Sequence, residues 1–135
     1  MVTEALGDRK VEASERLAEE LIARGSPLLA AYWEFREEEG RWTLILVPNS
    51  PEEERRLIKE ATALLVEVPY RSVFSISDPA VDSRQIERAR ALGSYIRIDP
   101  YIGRRIDTTF TGGQYFESVI PVYLAPELMP HLRVA

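Results

Sequence analysis

The stretch "LLAAYWEFREEEGRWTLILVPNSPEEERRLIKEATALL", residues 28–65, decides the fold. "LLAAYWEFR" and "RWTLILV" are rich in aromatic and aliphatic β-formers, and the polar "EEEG" between them ends in a glycine suited to a turn. The spacing predicts a β-hairpin. On its first strand Leu29, Ala31, Trp33 and Phe35 share a face, with Glu34 and Arg36 pointing away. On the second, Trp42, Leu44 and Leu46 alternate with Arg41, Thr43, Ile45 and Val47. Past Thr43 both faces are apolar, which places this strand inside the sheet.

The pattern then changes period. Ser50 stands at an N-cap, Pro51 at the first helical position, and Glu52 to Glu54 in the positive first turn. Leu57, Ile58, Ala61, Leu64 and Leu65 follow at helical spacing, so the segment reads as an amphipathic helix. Capping accounts for the Pro-Glu run without a functional role.

Upstream, a surface helix is expected over about Asp8–Arg24, capped by Asp8 and stopped by Gly25, with Leu17, Leu21 and Ile22 inward. Downstream, "SVFSIS" reads as a short strand. "DPAVDSRQIERARALG" reads as a helix opened by Asp78 or Asp82 and stopped by Gly93, lying across an edge. "YIRID" reads as a strand cut off by Pro100. "RRIDTTFT" and "QYFESVIPVYL" form a closing hairpin around Gly112-Gly113. Pro121 lacks a ladder donor, so that last strand is expected at an edge or bulged.

The sum is an α+β domain: two layers, a mixed and mostly antiparallel sheet, helices packed on one face. Residues 1–135 make one domain, with 1–7 and 126–135 as peripheral ends.

The layout resembles a group of small bacterial proteins without an established activity. The resemblance rests on "AAYWEF", "RWTLILV", "SPEEERR", "ISDP" and "GGQYFES". It implies a shared fold and carries over no chemistry.

Composition narrows the function classes. The chain has 135 residues and no cysteine, which excludes a disulfide framework, a thiolate zinc site and a thiol nucleophile. Its uninterrupted apolar runs fall far short of the roughly 18–20 residues that span a bilayer. No apolar core follows a basic start at the N-terminus, so no secretory leader is expected. A cytoplasmic protein is expected, with no membrane role. Its basic residues are 15 Arg and 2 Lys, with one Asn and two Gln, a bias of the kind a GC-rich genome produces.

Net charge is −5, spread unevenly. Residues 1–68 hold 15 acidic and 9 basic groups; residues 69–110 hold 5 and 7. The acidic whole disfavours non-specific binding of nucleic acid, while a basic patch in the second half keeps that partner open.

The common catalytic kits are missing. His131 is the only histidine and lies in a proline-flanked tail, so triad chemistry has no base. "TGGQY" joins two strands, and no phosphate-loop motif occurs. No cofactor and no metal are expected. Asp99 and Asp107 are the carboxylates an enzyme of this chain would use, with arginine electrophiles. The candidate residues for binding an anion or nucleic acid are Arg97, Arg104, Arg105, Tyr101 and Tyr115, with Arg84, Arg88 and Tyr95 nearby in sequence. Trp33 and Trp42 read as hairpin packing, with ligand stacking open to them if the first strand is an edge.

The leading expectation is a non-catalytic interaction module, binding a protein partner or forming a homo-oligomer. The first hairpin strand is the better candidate for edge pairing, because Pro121 interrupts the last one.

Overall fold

The two hairpins read from the sequence join side by side in the computed structural model, which describes residues 7–68, 70–75, 78–95 and 104–129. Strands β1 (Leu28–Arg36) and β2 (Arg41–Pro48) form the first, and β4 (Ile106–Thr111) and β5 (Gln114–Leu124) the second. β5 pairs antiparallel with β1. A three-residue strand, β3 (Pro79–Val81), lies beside β2, giving the order β3-β2-β1-β5-β4. β3 runs parallel to β2, as expected when a helical crossover separates two strands. The class is therefore α+β with a mixed, mostly antiparallel sheet.

The strand expected to be an edge is the centre. β1 is hydrogen-bonded on both sides, so neither edge pairing nor ligand stacking on an edge indole is open to it. Trp33 is fully buried and its indole N–H donates to Ser14 Oγ at 2.9 Å. Trp42 is also buried, with its ring 5.5 Å from that of Phe35. β2 is interior, as its two apolar faces required. Pro121 sits in interior β5, where the register shifts between Ala31 and Tyr32 on the facing strand. The bulge accommodates the missing donor.

Helices cover both faces. On one, α1 (Asp8–Ala23), α2 (Glu54–Leu65) and the single turn α3 (Tyr70–Val73) bury Leu17, Leu21, Leu57, Leu64 and Tyr70 against Ala31, Trp33, Leu44 and Leu46. On the other, α4 (Ile86–Tyr95) buries Ala89 and Leu92 against Tyr32, Ile45, Val47, Phe116 and Val119. One helical layer was expected; α4 adds a third, partial layer. It fills core instead of crossing an edge because its short stripe of Ala89 and Leu92 suits close approach to the sheet.

Local departures have local causes. Leu29 joins the α4 side, not the side of Ala31 and Trp33, because the β1–β2 register shifts between Leu28 and Ala30. Gly7, not Asp8, is the N-cap of α1, and Gly25 at φ 75° ends it. Ser50 precedes a 3-10 turn, Pro51–Glu53, before α2 begins. In α2 the inward stripe is Leu57, Ala61 and Leu64, and Ile58 is exposed.

Within "SVFSIS", Ser72 and Val73 belong to α3, not to a strand. Tyr70 anchors that turn through a hydrogen bond to Glu20 and stacks on Phe74. Within "DPAVD", residues 79–81 are strand, and the 3-10 turn Ser83–Gln85 ahead of α4 opens at Asp82, whose carboxylate accepts from the Arg84 amide. Gly93 does not stop α4. It lies against the Leu128 carbonyl, where a Cβ would come within 2.4 Å. The "YIRID" strand lies largely outside the described residues.

Candidate functional site

Two polar regions stand out on the sheet, one on each face. The first holds the candidate binding residues that the structure describes. Ser118 lies across from Phe35 in the β1–β5 ladder, and Asp107 across from Ser118 in the β4–β5 ladder. Arg105, just before β4, donates to Asp107 at 2.7 Å and sits 5.5 Å over the Trp42 ring. Ser118 also donates to Asp107 at 2.7 Å. The Ser118 hydroxyl and then the Arg105 guanidinium hold the Asp107 carboxyl below the usual carboxylate range. Arg105 is thus committed to local pairing.

Together with Glu37, Thr108, Tyr115 and Glu117 these side chains line an open groove of about 350 Å³. The Glu37 amide donates to the Glu117 carboxylate at 2.6 Å, tying the β1–β2 turn to β5. Arg104 is exposed beside it. Counting Arg105 against Glu37, Asp107 and Glu117, the groove's lining is acidic by two charges.

Tyr115 is 50% exposed and stands directly across from Phe110, which is 73% exposed. The two rings therefore share a face, beyond the reach of α1. They are there because the strand alternation slips. Thr108 has φ 43°, and Ile106 and Thr109 are both buried with two exposed residues between them. The slip turns Phe116 toward α4 and leaves Phe110 and Tyr115 outward.

The hairpin that carries them is fixed at several points. Gly112 lies where a Cβ would come within 2.8 Å of Ala91 Cβ. Thr111 Oγ1 donates to the Ala91 carbonyl at 3.4 Å, and Arg88 donates to the Tyr115 carbonyl at 3.0 Å.

Arg97 and Tyr101, and the enzyme candidate Asp99, lie outside the described residues. The arginines close in sequence do not form one patch. Arg84 is held by Asp82 at 3.0 Å, and Arg88 turns inward to stack 4.1 Å from the Phe116 centroid on the α4 side. Arg105 is on the opposite face. Among the described residues no three histidine, aspartate or glutamate side chains gather as a metal site. No helix among them is long and apolar enough to cross a membrane.

The second polar region was not singled out in the sequence. Glu34, 3% exposed, lies on the α4 face of β1 and pairs with Arg88 of α4, while Arg36 approaches it at 3.4 Å. Burial pushes the Glu34 carboxyl up, against the pull of Arg88 and Arg36. Beside it Tyr32 is fully buried and donates to Gln85 at 3.2 Å. Burial, then the Glu34 charge, drives the Tyr32 hydroxyl far above the usual tyrosine range, so it stays protonated. The available signal was a lone glutamate inside an apolar run, "AAYWEF", which alternation assigned to solvent.

Comparison with protein-family models, curated proteins and solved structures finds no match to this chain.

Proposed function

We propose that this protein is a non-catalytic interaction module that binds a protein partner through the β4–β5 hairpin face. The observation that carries it is the Phe110–Tyr115 pair, two aromatic rings in register and exposed on a hairpin clamped to α4. Large rigid aromatics contribute contact area at little entropic cost, which is why they anchor interfaces. The acidic groove beside them suits a partner segment with basic and apolar side chains, and disfavours nucleic acid.

Edge-strand addition at β4 has less support. Arg105, Asp107 and the positive φ of Thr108 blunt that edge in the way sheet proteins commonly do. A chain without cysteine suits a reducing cytoplasm, where we place it.

Affinity purification with identification of bound protein and nucleic acid tests the reading. The wild type should retain a protein that survives nuclease treatment and is lost with Phe110→Ser/Tyr115→Ser. Glu117→Lys should weaken the same partner. Retention of one set of proteins by wild type and double variant alike refutes this face as the site. Recovery of nucleic acid that depends on Arg104 and Arg105 replaces the reading with an anion-binding one.

A further inference from the structure

β3 is one edge of the sheet, and between it and the last turn of α2 lies an open groove of about 500 Å³. Its walls are apolar: Leu65 and Val66 at the end of α2, Phe74 after α3, and the Pro79 ring at the start of β3. Val66 is 60% exposed, an apolar side chain that packing within the chain leaves in water. Proline suits this edge because it has no N–H to leave unpaired. Phe74 is fixed in place, stacked on Tyr70 at 6.3 Å and tilted against Trp33 at 6.1 Å.

The charge in the lining is of one sign. Among the described residues Arg71 is the only charged side chain that lines the groove, and no carboxylate does. Its backbone N–H donates to the Glu67 carbonyl at 3.0 Å, but its exposed guanidinium has no ion-pair or hydrogen-bond partner among the described residues. Asp78, next to Pro79, is committed elsewhere, to Lys10 at 2.8 Å and to the Ser75 amide at 2.8 Å. The Thr62 hydroxyl group belongs to the same lining.

We infer that this groove binds a small amphipathic monocarboxylate, an acyl or aryl chain ending in a carboxylate. The apolar body packs on Phe74, Leu65, Val66 and Pro79, and the carboxylate takes the Arg71 guanidinium, with the Thr62 hydroxyl as a neutral donor. Apolar walls with a few placed polar groups are the usual make-up of small-molecule sites, and this volume is within their range. A guanidinium matches a carboxylate in a two-pronged bond. β3 and β4 are opposite edges of the sheet, so this site stands or falls independently of the Phe110–Tyr115 face.

The test is a titration of the ¹⁵N-labelled full chain with sodium octanoate, and separately sodium 3-phenylpropionate, at constant ionic strength, beside the matching uncharged alcohols. The expected result is a saturable shift centred on the Thr62, Leu65, Val66 and Phe74 amides with at least one of the two carboxylates. Its dissociation constant should rise about tenfold or more in Arg71→Gln. The matching alcohol should bind wild type and Arg71→Gln alike, and more weakly than the carboxylate binds wild type. Val66→Asp, which puts a carboxylate on an exposed wall, should abolish saturation while its spectrum stays folded. Arg105→Gln, near the opposite edge, should leave the constant unchanged. Shifts that never saturate with either carboxylate, an alcohol that binds as tightly, or affinity unchanged in folded Arg71→Gln or Val66→Asp overturn the inference. So does a shift of the same amides on dilution without ligand, which means that a second copy of the chain covers the groove.

Discussion

Glu34 and Arg88 show how much one buried pair can decide. Taking both charges out of water is costly, and removing one partner strands the other. The raised pKa of Glu34 says that burial outweighs the attraction of its arginines. Glu34→Gln should therefore be tolerated at neutral pH, with the amide oxygen still accepting from Arg88. Arg88→Leu should cost about 3 kcal/mol at pH 7. The sign with pH follows from linkage. A carboxyl whose folded pKa lies above its unfolded one loses stability as pH rises from the unfolded value, near 4.5, through the folded one. The penalty of Arg88→Leu should shrink below about pH 4.5, where Glu34 is protonated in both states. Urea unfolding of the three proteins across pH 3.5–8 reads this directly; a pH-independent penalty is the contrary result. Neither the pair nor its partner choice was legible in the sequence, because Arg88 lies 54 positions from Glu34 and only the stacking of α4 on the sheet joins them.

At the scale of elements, the turn chemistry was legible and the packing around it was not. Gly112 and Gly113 both have positive φ, as a two-residue hairpin turn requires. The sequence makes them equivalent; the fold does not. A side chain at Gly112 meets Ala91, whereas nothing lies within 4 Å at Gly113. Gly113→Asn should thus change stability by less than about 1 kcal/mol, since Asn tolerates the left-handed region. Gly112→Asn should cost about 1–3 kcal/mol, the usual penalty of overpacking. Thermal unfolding of the two variants orders them, and equal losses contradict the α4 contact. Gly93→Ala is a second case. Alanine is the better helix former by about 1 kcal/mol, yet here the substitution should destabilise, because its Cβ has no room beside the Leu128 carbonyl. The first two helices, the first hairpin and the closing hairpin were readable from period and punctuation, though Gly7 and not Asp8 caps α1 and Ser50 makes no side-chain cap bond. "SVFSIS" was not, because a few alternating apolar residues satisfy a strand or a buried turn equally well. Tyr70, gripped by Glu20, settles it as a turn.

At the scale of the whole molecule, the sheet order ranks the strands by stability. β1 is paired on both sides and covered on both faces, whereas β4 is an edge and β3 has three residues. The amides of Ala31 to Phe35 should exchange with solvent only on global unfolding, and those of β4 roughly 100-fold faster or more. Hydrogen exchange followed by NMR checks this, and equal protection in β1 and β4 argues against the strand order. The same order explains why an edge role assigned to the first strand fails: it is flanked by β2 and by β5, which is nearly ninety positions away in sequence. From the sequence come the class, most helix and strand positions, the interior place of β2 and the lack of a thiol. Each of these follows from residue type and local period, which act over a few residues. Tertiary structure alone decided which strand is central, that α4 covers the second face, that Arg88 and Arg105 point to opposite sides, and that Phe110 and Tyr115 remain outside. Those depend on long-range pairing, on single-residue shifts of register beside Ala30 and Tyr32, and on the left-handed backbone at Thr108. A slip of one residue exchanges the faces of everything beyond it, and no local pattern records where the slip falls.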